Sequence, residues 1–242
     1  MLLEIKRFIC NKYLLLVFGA FFVLIALSFV NAFLVQGYYS NSNAFVLDYY
    51  NVICQTSPFL MAPILGTFFA KDYEFSIDRF YCNYNISEYR YCFKKLTTSV
   101  LVIGIVEILF SMITLQIMGV ALKLRIMVSL LLLLDLAYMI IMIDIVSYIT
   151  RRRMTTIFLT MGVVVIMSII NIIPLGPITG KLFVLDANSY ISLLVTDFLR
   201  HDTSEFGHII YSLTIYVLII FVLFVLVMFI GEKNAKKHNP AK

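Results

Sequence analysis

Six stretches of the chain stay apolar for about 20 residues, the length a helix needs to cross the hydrocarbon of a bilayer. They are Tyr13–Val35, Val52–Ala70, Leu96–Met118, Ile126–Ile149, Thr155–Ile173 and Ile209–Ile230. Polar connections separate them, short except at 71–95 and 174–208. The pattern predicts an all-α membrane protein of six transmembrane helices, with residues 1–242 forming a single domain. Six spans place both termini on the same side.

The segments outside the spans add three elements. Leu2, Ile5, Phe8 and Ile9 fall on one helical face, with Glu4, Lys6 and Arg7 elsewhere, so residues 1–12 are expected to form an interfacial elbow helix on the inner leaflet. In 174–208, Pro174, Gly176 and Pro177 stop the fifth span, and Ile191, Leu194, Val195 and Phe198 recur at helical spacing. A short outer amphipathic helix is expected there, with Asp186, Asn188 and Ser189 as capping candidates. Loop 71–95 is expected to carry the third, a short helix. Val30-Asn31-Ala32 is similar to a signal-peptide cleavage site. The apolar stretch before it is too long for a signal h-region of about 7–15 residues, so it is taken as a span.

Charge orients the spans. With the N-terminus inside, 15 of the 19 basic residues lie on the inner side and only Lys123, Arg125, Lys181 and Arg200 outside. The positive-inside rule then predicts N-in, C-in. Composition agrees with the class: 62% of residues are hydrophobic and 14% charged, with a mean hydropathy of +0.96. A soluble domain carries about 25% charged residues, and disorder needs far fewer apolar ones. The net charge of +5 follows from the inner loops and does not call for a nucleic-acid partner.

Recognisable catalytic chemistry is missing from the sequence. There is no phosphate-binding G-x-x-x-x-G-K-[ST] loop, no H-E-x-x-H and no G-x-S-x-G. The stretch from Gly176 to Lys181 is one residue short of the first, and Leu182 stands where its hydroxyl belongs. No catalytic, cofactor-binding or metal-ligating residue is therefore assigned, and the chain is not expected to be an enzyme. Cys10, Cys54, Cys82 and Cys92 form no metal-like C-x-x-C pair and are expected to be free thiols.

Polar residues inside the spans are the first candidates for function. Glu107 lies about 16 Å above the inner end of the third span, and Asp135 about 14 Å below the outer end of the fourth. An ionised carboxylate at such depth costs a few kcal/mol unless it faces protein or water. Two readings stand for this pair: a pathway, gate or proton relay, or interhelical hydrogen bonding that fixes packing. Asp144, two turns before Arg151, is expected to be structural. Pro58 and Pro63 each remove a backbone hydrogen bond within the second span, which makes them further pathway candidates.

Loop 71–95 mixes charges of both signs with eight aromatics: Tyr73, Phe75, Phe80, Tyr81, Tyr84, Tyr89, Tyr91 and Phe93. Such a mixture suits a short helix buried against a partner protein, or one resting at the lipid interface.

Taken in order, these features resemble the permease subunits of ABC-2 type transporters. Asp72-Tyr73-Glu74 matches that family's acidic opening of the loop, Ser76-Ile77 its Thr-Ile, and Lys94 or Lys95 the Lys that opens span three. Asn85-Ile86-Ser87-Glu88 stands in place of Pro-Ile-Ser-Arg, and Phe75 in place of a Gly. The length and the Ile-, Asn- and Tyr-rich composition look most like small permeases of Gram-positive bacteria, many of which serve bacteriocin or lantibiotic immunity or export amphipathic peptides.

The resemblance implies a multi-pass protein of the bacterial plasma membrane, paired with a second copy or a sibling permease. A separate cytosolic ATPase dimer would bind ATP and push on the elbow and on loop 71–95. Asp72, Tyr73, Glu74, Asp78, Arg79, Tyr81, Tyr84 and Lys94 would then form the coupling surface. The competing expectation is an ATP-independent six-span protein, either a proton-coupled carrier using Glu107 and Asp135 or a membrane accessory or assembly factor.

Overall fold

The computed structural model describes residues 2–35, 42–77, 87–172 and 204–238. Among them every regular element is helical. A short helix α1 (Leu2–Cys10) leads into α2 (Tyr13–Val30), which ends in one π-helical turn, Asn31–Val35. Then come α3 (Ser42–Glu74), α4 (Glu88–Ile117), α5 (Leu122–Thr150), α6 (Arg153–Ile172) and α7 (Ser204–His238). Each apolar stretch falls on one of the six helices α2 to α7.

Four of them, within α2, α3, α4 and α5, are long and apolar enough to cross a membrane. Helices α6 and α7 contribute shorter apolar runs, Arg153–Ile166 and Val217–Gly231. The expected outer helix and its caps in 174–203 lie outside the described residues.

Helix α4 shows why this protein belongs in lipid. Leu101, Ile105, Leu109, Ile113 and Ile117 recur every four residues and are all exposed, whereas Thr98, Ser99, Glu107, Ser111 and Thr114 are buried. A helix in water does the reverse. Polar groups turned inward and branched aliphatics turned outward suit a surrounding that offers no hydrogen bonds.

Helix α5 is the centre of the bundle, packed against α3, α4, α6 and α7. Its apolar window is 61% buried, against 33% for the peripheral α2. The breaks between helices have local causes. Gly119, at φ 70°, closes α4: its N–H bonds to Gln116 O at 3.0 Å and that of Val120 to Leu115 O at 3.0 Å. This is a Schellman cap, which needs a left-handed residue and favours glycine. Lys12 and Arg151 adopt the left-handed region without glycine's freedom, at φ 61° and 52°, and end α1 and α5.

Several boundaries differ from the apolar pattern. Helix α3 begins ten residues before Val52 and runs four beyond Ala70, continuous through Pro58 and Pro63. Helix α4 begins eight residues before Leu96, with the Ser87 hydroxyl accepting from the Arg90 N–H at 3.3 Å as its N-cap. Much of loop 71–95 is therefore the ends of two helices. Polar residues hid this extension, because Tyr49 and Tyr50 are fully buried and find partners on other helices.

The expected N-terminal helix forms as α1. Phe8 is fully buried against the rings of Tyr13 and Phe68, at 6.0 and 5.0 Å, and Glu4 is buried beside it. Ile9, on the same apolar face, is exposed.

Helix α7 meets α5 closely at Gly231. A Cβ there would lie 2.7 Å from Tyr148 Cε1. Tyr148 in turn packs edge-on against Tyr73, with ring centroids 5.4 Å apart. Gly231→Ala is expected to cost about 1–3 kcal/mol by overpacking, read as a lowered Tm of the detergent-purified chain.

Candidate functional site

Two polar clusters are built into the apolar bundle. The first ties α1 to the ends of α3 and α4. Asp72, in the last turn of α3, is fully buried. Arg7 of α1 reaches it with both terminal guanidinium nitrogens, Nη1 at 2.8 Å from Oδ2 and Nη2 paired with Oδ1. Lys95 Nζ of α4 donates to Asp72 Oδ2 at 2.5 Å and to the Phe68 carbonyl at 2.7 Å. Tyr91, one turn before Lys95, donates its hydroxyl to Asp72 and accepts from Arg7 Nη1 at 2.9 Å.

The Lys95 ammonium also lies 4.4 Å from the Phe68 ring centroid, so it is enclosed by aromatic faces and oxygens. Burial alone would lower the Arg7 pKa. The hydrogen bond and charge of Asp72, joined by Tyr91, outweigh it and push the guanidinium above its ordinary value.

A second arm starts at the next residue. The Tyr73 hydroxyl bonds to Asp144 Oδ1 at 3.0 Å and to Cys92 Sγ at 3.3 Å, so α3, α4 and α5 are pinned together. Asp144 thus takes a hydrogen bond from Tyr73, a partner other than the Arg151 that its position in sequence suggested. Arg151 stacks over the Tyr148 ring at 5.1 Å.

Asp72 and Tyr73 are 0% and 1% exposed. Both are turned inward by partners on other helices. Glu74 and Lys94 do face outward, and Glu74 pairs with Arg153 Nε at 2.6 Å. Asp78, Arg79, Tyr81 and Tyr84 lie outside the described residues.

The second cluster holds the two acids at the centre of the bundle. Glu107 is 1% exposed, and its Oε1 accepts from Ser111 at 2.7 Å. Ser111 in turn shares a 3.0 Å hydrogen bond with Tyr49 of α3. Asp135 Oδ2 accepts from Tyr50 at 2.5 Å and from the Cys54 thiol at 3.2 Å, both on α3. Neighbouring residues of one helix, Tyr49 and Tyr50, thus reach two different helices, Tyr49 through the Ser111 that holds Glu107 and Tyr50 at Asp135 itself.

Glu107, Asp135, Cys54, Ser57 and Pro58 line one cavity of about 30 Å³. Three of the four pathway candidates meet there. Pro63 is not among the residues that line it.

Sequence reasoning missed Arg7, Tyr91 and Lys95 as one unit, and Tyr50 and Cys54 as the partners of Asp135. The pairing of Tyr91 with Lys95 was in principle visible, since the two, like Glu107 and Ser111, are four apart and share a helix face. Among the described residues no group of acids, cysteines and histidines is arranged to hold a metal ion.

No family model matches this chain, and neither a curated protein nor a solved structure does.

Proposed function

We propose that the chain is the transmembrane subunit of an ATP-driven exporter of the ABC-2 kind. It has six spans with both termini in the cytoplasm and moves a hydrophobic or amphipathic substrate out of a bacterial plasma membrane. A separate cytosolic ATPase dimer supplies the energy, and the permease pairs with a second copy or a sibling.

The observation that carries this reading is the Arg7–Asp72–Tyr91–Lys95 cluster. A helix that lies beside the bundle and the two helix ends that flank the 75–87 segment are joined by buried ionic bonds. Force applied to that segment from the cytoplasm would move α1, α3 and α4 as one body. Loose loops would absorb the push instead. Glu74, exposed on that body, is the first residue positioned to meet a partner.

Glu74→Arg is the test. Its pair with Arg153 is partly exposed, so the stability cost stays within about 1 kcal/mol and membrane insertion is unchanged. Co-purification with the ATPase and ATP-driven transport in vesicles are expected to fall roughly tenfold or more, the loss of about 1.4 kcal/mol or greater at an interface hot spot. Unchanged ATPase association and transport would overturn the coupling role.

The central cavity favours one other reading, an ion-coupled carrier. That reading requires pH-dependent transport by the chain alone, abolished by Glu107→Gln. Transport that needs the ATPase excludes it.

A further inference from the structure

A larger cavity opens at the end of the bundle where α3 stops and α5 turns into α6. Its volume is about 630 Å³, within the roughly 300–1,000 Å³ of pockets that hold organic ligands. Gly66 brings α6 onto α3 beside it, since a Cβ there would lie 3.3 Å from Ile157 Cγ1.

Arginines dominate the wall. Arg151, Arg152 and Arg153 line it in succession, joined by Thr67 and Thr155. Among the described residues the one acid on the wall is Glu74. It pairs with Arg153 Nε at 2.6 Å, and a guanidinium has five N–H donors, so one carboxylate does not exhaust it. Arg152 is exposed. Helix α6 begins at Arg153, and the first N–H groups of a helix have no partner within it, so its positive end adds to the same field. Three arginines against one glutamate leave the wall with a net positive charge.

An apolar face borders this charge. Met154 on the wall and Phe158, one turn further along α6, are both exposed. On a membrane helix such side chains lie against acyl chains. A basic cavity beside that face sits where the phosphate of a lipid meets its tails.

We infer that this cavity holds the headgroup of an anionic phospholipid, with Arg151, Arg152 and Arg153 around its phosphate and an acyl chain along Met154 and Phe158. Arginine matches phosphate oxygens with paired N–H donors. The positive wall selects against a zwitterionic lipid. In phosphatidylcholine a trimethylammonium cancels the phosphate charge and would lie among the arginines, whereas phosphatidylglycerol carries no cation. The apolar face favours a lipid over free phosphate, which has nothing to place there. A lipid so held ties the end of α3 to the α5–α6 turn, beside Glu74. The site needs the membrane character of the chain and not the exporter reading.

The test uses the full chain in maltoside detergent at 0.15 M ammonium acetate, where charges more than about 8 Å apart are largely screened. Native mass spectrometry counts bound lipid on titration with dioleoylphosphatidylglycerol or dioleoylphosphatidylcholine. The glycerol lipid is expected to bind at one tight copy per chain, at least about tenfold tighter than the choline lipid, the value of one or two charge-assisted hydrogen bonds. Arg151→Gln/Arg152→Gln is expected to bring it down to the affinity of the choline lipid. Lys236→Gln/Lys237→Gln, which removes as much charge from the end of α7, is expected to leave it unchanged.

Equal affinity for the two lipids would overturn the inference. So would an equal loss in the two double variants, which marks diffuse attraction to the basic end of the bundle. Displacement of the lipid by glycerol phosphate at equal concentration marks a free-phosphate site and overturns it too, as does a preference retained in the arginine variant. The two-lipid comparison uses the unaltered chain and so stands even if a variant misfolds. If both lipids bind alike while the arginine variant loses the ATPase, the arginines belong to a protein interface, and this inference falls with the exporter reading intact.

Discussion

Replacing Asp72 by alanine is expected to destabilise the folded chain by about 3–5 kcal/mol, the cost of stranding a buried charge. Asp72 is the hub of its cluster. Without it Lys95, fully buried, keeps only backbone carbonyls and aromatic faces for company. Arg7 loses both of its hydrogen bonds to Asp72 and keeps the one to Tyr91, and α1 loses its ionic tie to the bundle.

The measurement is thermal unfolding of the detergent-purified protein, followed with the fraction that elutes as a single species. The double variant Asp72→Leu/Lys95→Met is the informative control. Removing both charges and filling their space with apolar atoms is expected to recover most of the loss, because a buried pair and a well-packed apolar pair are often close in free energy. If Asp72→Ala melts within about 0.5 kcal/mol of the natural chain, the cluster does not hold the fold together.

The second large effect separates two faces of a single helix. Ile105 and Glu107 are two residues apart near the middle of α4, yet Ile105 is 58% exposed and Glu107 1%. Ile105→Asp is expected to cost about 2.5–3.5 kcal/mol in membrane insertion, the penalty for an acid at the centre of a lipid-facing helix. The natural acid at 107 avoids this cost because Ser111 and the surrounding helices receive it. A glycosylation-reporter assay of insertion, together with the yield of folded protein, reads the difference. Equal insertion of Ile105→Asp and the natural chain would mean that the exposed stripe of α4 does not face lipid.

Much of the helix pattern was legible along the chain. Apolar runs located six helices, because hydropathy is a local sum and a helix satisfies its own backbone. Some helix ends were legible to about a residue, as at Met118 against the observed Ile117. Others were misplaced by eight to ten residues where the helix is polar. At the start of α3, Tyr49 and Tyr50 look like interfacial residues in sequence, but in the fold both are buried with partners on α4 and α5.

The candidate site divides in the same way. That Glu107 and Asp135 need company followed from the cost of a carboxylate at their depth. Which groups supply it did not follow, since Tyr50 and Asp135 are separated by 85 positions and Arg7 and Asp72 by 65. The elbow helix carries the same lesson. Periodicity grouped Ile5, Phe8 and Ile9 on one apolar face, but that Arg7 reaches a buried carboxylate on another helix was not in the pattern.

By itself, then, the sequence determined a helical, membrane-type protein, the approximate extent of its apolar helices and the place of its acids along them. Each of those depends on free energies summed over neighbours in the chain. The tertiary structure alone decided which polar residues are interior, that Asp72 and Tyr73 bind helices together instead of facing outward, and that two acids and a proline share one cavity. A buried charge is stable only beside a specific partner, and the partner's identity is a property of helix packing.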